Sequence, residues 1–88
     1  MGGIQMTFIE YINYIKKYLN ENQTNPDYCD TFYASLRNID VDLNEENYEA
    51  EFQWEVLEVE EQAEPWNDVK YFKPLDDQLR ELLKKYKL

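Results

Sequence analysis

Histidine is missing from this chain, and cysteine occurs once, as Cys29. Those two facts remove most nucleophilic catalysis. No Cys–His or Ser–His pair can form, and thiolate or serine chemistry needs an activating base that the sequence does not supply. Ser35 is the sole serine. A zinc site fails on the same grounds, with one sulfur ligand and no imidazole. Cys29 reads instead as a small core residue. A single cysteine forms no internal disulfide, so nothing points to an oxidising compartment. No apolar run nears the roughly 20 residues of a membrane span, and no secretory signal is visible. A cytoplasmic protein is the default expectation, with no cofactor.

Positive charge is missing from one region in particular. Between Asn38 and Val69 there are 12 acidic residues and no Lys or Arg. All nine basic residues lie outside it, and the whole chain carries a net charge of −10. That balance opposes binding to bare nucleic acid or to an anionic membrane, and favours a cationic partner or plain solubility.

Eighty-eight residues make one small domain with one modest core. Ile, Leu, Val and Phe number 22, a quarter of the chain. That exceeds the roughly 20% below which highly charged chains stay disordered, so residues 7–88 should fold as a unit. The start "MGGIQM" lacks the Ser or Thr that a myristoylation signal wants at position 6. Met6 would serve as a natural start, and residues 1–6 are expected to be a flexible or added end.

"MTFIEYINYIKKYLNE" carries a helix signal. Thr7 and Glu10 are spaced for a capping box, and Phe8, Tyr11, Ile12, Ile15, Tyr18 and Leu19 make one apolar stripe. A second helix follows in "NPDYCDTFYASLRN", with Asn25 as cap and Pro26 at its first turn. The short polar link makes the two antiparallel neighbours.

After Asn38 the period changes. Ile39, Val41 and Leu43 alternate with Asp40 and Asp42, as in a half-buried strand. "NEEN" reads as a turn. Tyr48, Ala50, Phe52, Trp54 and Val56 then alternate with Glu49, Glu51, Gln53 and Glu55, and a phase slip at Leu57 suggests a β-bulge. Helix competes over this stretch, because Glu, Ala and Leu favour it; the period favours strand. "VKYFK" reads as a short third strand, and "KPLDDQLRELLKKYKL" as a closing helix with Pro74 at its start. The expected fold is α+β in the order α-α-β-β-β-α, a three-stranded antiparallel sheet with helices on one face.

Two chemistries remain to weigh. "DVDLNEENYEAE" places Asp40, Asp42, Asn44 and Glu51 at EF-hand ligand positions, but Glu45 stands where the calcium loop turns on glycine. Carboxylate pairs for glycoside hydrolysis arise by chance in a chain this acidic, and so small a fold leaves little room for a cleft.

The charge distribution is the more informative feature. In a strand, Glu49, Glu51 and Glu55 share a face at about 6.8 Å per pair of residues, comparable to the spacing of phosphates along a DNA strand. That face is expected to dock on a positively charged surface of a nucleic-acid-binding protein or nuclease. Glu49, Glu51, Glu55, Glu58 and Glu60 are the proposed contacts. Trp54 is expected in the core. Trp66, in a polar loop, is a candidate anchor, or else a lid folded on the core. The competing expectations are a solvated face that guards edge strands, and an adaptor module that associates, even with itself, through its eight tyrosines.

In size, acidity and lack of catalytic residues the chain resembles the small inhibitors that bacteriophages direct at host nucleic-acid enzymes, such as DNA mimics and anti-CRISPR proteins. The resemblance implies a non-enzymatic inhibitor. It rests on no motif and assigns no residue a role.

Overall fold

The computed structural model describes residues 3–21, 24–43 and 48–88. The chain opens with a short strand, β1 (Ile4–Thr7), that runs directly into helix α1 (Phe8–Asn20). Thr7 ends the strand and caps the helix. Its hydroxyl accepts from the Glu10 N–H at 3.2 Å, and the Glu10 carboxylate accepts from the Thr7 N–H at 2.9 Å, satisfying two otherwise orphaned donors. Helix α2 (Pro26–Leu36) is capped by Asn25, whose side chain accepts from the Asp27 N–H at 2.9 Å. Strand β2 (Ile39–Asp42) follows.

The sheet is where the sequence expectation fails. Strand β2 pairs in parallel with β1, in the register Ile4–Ile39, Gln5–Asp40, Met6–Val41 and Thr7–Asp42. Parallel strands need a long crossover, and residues 8–38, carrying α1 and α2, provide it. The two strands complete the described sheet. There is no three-stranded antiparallel meander among the described residues. Residues 4–6, assigned from sequence to a loose end, lie in β1, with Met6 half-buried against the core. Gly3 leads in beside Asn38: a Cβ built on Gly3 would stand 1.6 Å from the Asn38 carbonyl oxygen.

Residues 48–60 do not form the second expected strand either. Glu49–Glu60 form helix α3. The alternating pattern hides a helical one: Phe52, Val56 and Val59 stand at i, i+4 and i+7 and are the apolar residues of α3 buried in the core. Phe52 is fully buried, with its ring edge-on to Phe8, Tyr11 and Tyr86 at 5.5–6.2 Å. High helix propensity and a usable core stripe together outweigh the alternation. The expected bulge at Leu57 has no place in a continuous helix. The "NEEN" turn, residues 44–47, lies outside the described residues.

The third expected strand is also absent. Val69–Tyr71 form one 3₁₀ turn, capped by Asp68, which accepts from the Lys70 N–H at 3.0 Å. Helix α4 (Lys73–Lys85) begins immediately afterwards, with Pro74 in its first turn. Its buried Leu75 and Leu79 close the core over Phe72 and Tyr33. The result is a mainly helical α+β domain. Among the described residues, no helix is long and apolar enough to cross a membrane.

Candidate functional site

A helix distributes the carboxylates of residues 49–60 very differently from a strand. Glu49 and Glu60 lie eleven residues apart, three turns, and so share a flank turned towards the body of the domain. Glu49 is half-buried, and Glu60 is 4% exposed. Glu60 accepts from Arg37 Nε at 3.0 Å and Nη2 at 2.5 Å through one carboxylate oxygen. The guanidinium fork gives this nearly buried carboxylate the donors that burial withholds from it as water.

Glu55 lies at the seam with α4. Lys85 Nζ donates to its two oxygens at 2.9 and 3.2 Å, and the Tyr86 hydroxyl donates to the same carboxylate. The Tyr86 hydroxyl first, and Lys85 second, hold the Glu55 carboxyl below its ordinary range. The same hydrogen bond raises Lys85. Glu55 therefore works inside the fold, locking α3 to α4.

Glu51 and Glu58 face the solvent on the outer side of α3, and Glu61 continues that side just past the helix end. Among the described residues, no basic side chain forms an ion pair with any of the three. At their centre stands Trp54, 72% exposed. Glu51, Trp54 and Glu58, at i, i+3 and i+7, form one stripe. A large aromatic so exposed is uncommon, because Trp is highly buried on average. Strand parity with Phe52 and Val56 puts Trp54 in the core, as the sequence leads one to expect; the helix turns it outward.

Trp66 behaves in the opposite way. It is half-buried, edge-on to the buried Phe72 at 5.1 Å and tilted against Tyr71 at 6.0 Å. Its ring covers the core beneath the loop that joins α3 to α4, and it contributes nothing to the Trp54 stripe.

The remaining sequence candidates are dispersed. Asp40 and Asp42 stand on β2 with outward side chains, and Glu51 is in the first turn of α3. Asn44 and Glu45 of the calcium spacing lie outside the described residues. No three Asp, Glu, Cys or His side chains converge in a metal-holding group among the described residues. Cys29 is buried, and burial is the main cause that pushes its thiol upward. It stays protonated, which is poor preparation for a nucleophile. Asp76 is a further half-buried carboxyl. It accepts from the Tyr33 hydroxyl at 2.5 Å, and desolvation, outweighing that bond, raises it.

The outer face of α3 can thus offer an exposed indole edged by solvent-facing carboxylates, with Lys85 beside Glu51 and Trp54 at the seam with α4. No protein-family model, curated protein or solved structure matches the chain.

Proposed function

We propose that this is a non-enzymatic protein-binding domain whose α3 face docks on a positively charged surface of a nucleic-acid-binding protein, in competition with nucleic acid. The observation that carries the reading is Trp54, 72% exposed between Glu51 and Glu58, neither of which is held in a direct ion pair among the described residues. Exposed indoles anchor interfaces because they bury a large area at small entropic cost. The surrounding charges steer a cationic surface into place and repel an anionic one. Lys and Arg that grip phosphates would grip Glu51, Glu58 and Glu61 in their stead. The competition follows from sharing the same cations. It does not depend on a phosphate-like spacing, which the helix does not provide.

The test is capture from a bacterial lysate on the immobilised protein, elution by a salt gradient, and assay of the eluted protein for nucleic-acid binding with and without this domain. A protein that is retained by wild type, released by salt and inhibited in its nucleic-acid binding supports the proposal. It should be lost with Trp54→Ala and with Glu51→Lys combined with Glu58→Lys. Equal retention by these variants contradicts it. The same exposed indole favours one other reading, self-association as a small adaptor. Light scattering separates the two, because apolar self-association persists at high salt whereas charge-steered docking weakens.

A further inference from the structure

Along their outer edge α3 and α4 leave a groove of about 400 Å³ between two polar clasps. At one clasp the amides of Gln62 and Gln78 exchange hydrogen bonds, at 2.9 and 3.3 Å. At the other, Lys85 and Tyr86 hold Glu55. Val59 and Leu82 supply the apolar floor, and the exposed Glu58 and Glu81 stand one on each helix. The other two carboxylates of the lining are already neutralised: Glu55 by Lys85, and Asp77 by Arg80 at 3.0 Å. Glu58 and Glu81 have no basic partner among the described residues.

We infer that this groove receives one arginine side chain of the cationic partner, its methylenes on Val59 and Leu82 and its guanidinium between Glu58 and Glu81. The inference rests on the docking function proposed above and names what that partner presents beside Trp54. An anion is repelled here. A wholly apolar occupant would strip water from two carboxylates without replacing it. A lysine brings a compact, strongly hydrated point charge, whereas the guanidinium is planar, weakly hydrated and able to donate to two acceptors at once. Long cationic side chains also bury their stems on apolar surface while the head stays polar. The two clasps fix both helices beforehand, so filling the groove requires little further ordering.

The test is a titration of the intact ¹⁵N-labelled protein with hexa-arginine and, separately, hexalysine at low salt. It follows the side-chain amide resonances of Gln62 and Gln78 and the indole resonance of Trp54. The expected result is a saturable shift of both Gln amides with hexa-arginine, weakened at least about tenfold by Glu81→Gln and weaker with hexalysine. If only the Trp54 indole moves, the groove is not the arginine site and the docking face stands. Equal effects of the two peptides overturn arginine selection. If neither peptide moves any of these resonances, the docking reading falls together with the groove.

Discussion

Arg37, just past the end of α2, reaches across to Glu60 in the last turn of α3 and caps its buried carboxylate with two donors. The guanidinium itself lies mostly in solvent, with its side chain 64% exposed, while the Glu60 side chain is 5% exposed. The pair is therefore asymmetric: most of the cost of disruption falls on the acid. Arg37→Ala should lower the thermal midpoint, because it leaves a buried charge without a partner. Adding Glu60→Gln should recover part of the loss, since a neutral amide tolerates burial better. Thermal melts of the two single variants and the double variant check this, and a double variant no more stable than Arg37→Ala alone would contradict the pairing.

Gly3 is needed for its lack of a side chain. With a Cβ 1.6 Å from the Asn38 carbonyl oxygen, Gly3→Ala forces β1 away from β2. The expected loss is about 1–3 kcal/mol, the range for overpacking, limited by how much the strand pairing contributes. Hydrogen exchange gives the sharper readout. The Ile4 N–H donates to that same carbonyl at 2.9 Å and should lose its protection in the variant, while amides inside α1 keep theirs.

Phe52 and Trp54 separate the helical account from the strand account. In a strand they would share a face; in α3 one is fully buried and the other 72% exposed. Phe52→Ala should cost about 3–5 kcal/mol, a large part of the stability of a small domain. Trp54→Ala should fall within about 0.5 kcal/mol of wild type. Denaturant melts measure both, and comparable losses would place the two rings on one face.

Two carboxyls give opposite pH signatures. The Glu55 carboxyl is lowered in the folded state by Tyr86 and Lys85. Its contribution is present above its unfolded value, about 4.3, and is lost as pH falls through the folded value. Glu55→Gln should therefore flatten the acid limb of the stability curve. Asp76 is raised, chiefly by burial. Its contribution is complete below its unfolded value, about 3.9, and is lost as pH rises through the folded value. Asp76→Asn keeps an acceptor for the Tyr33 hydroxyl, so its midpoint should gain on wild type as pH is raised from about 3 to neutrality. Thermal midpoints across that range test both signs.

The helices with explicit end signals were legible in the sequence. Thr7 and Glu10, Asn25 and Pro26, and Pro74 each mark a helix start that the structure contains. The sheet was not, for two reasons. The partner of Ile39–Asp42 lies in "IQMT", a stretch too short and too close to the start to read as a strand. In residues 48–60, strict alternation and an i, i+4, i+7 stripe coexist, and periodicity alone does not separate them; the core that Phe8, Tyr11 and Tyr86 build around Phe52 does. The acidic character of the middle region was plain from composition. Which acids face outward was not, because strand parity turns Trp54 inward and leaves Glu60 among the contacts, whereas the helix does the reverse. The Arg37 and Lys85 pairings are long-range and carry no local signature.

The most direct test of the docking account is a competition at equilibrium. A captured basic protein is bound to fluorescently labelled duplex DNA, and this domain is titrated in at several salt concentrations. The account predicts displacement of the DNA by wild type, and none by the Glu51→Lys, Glu58→Lys double variant or by Trp54→Ala. It also predicts an affinity of the domain for that protein, measured without DNA, that falls steadily as salt rises. Displacement by the variants equal to that by wild type, or a ternary complex in which DNA and this domain are bound together, would contradict it.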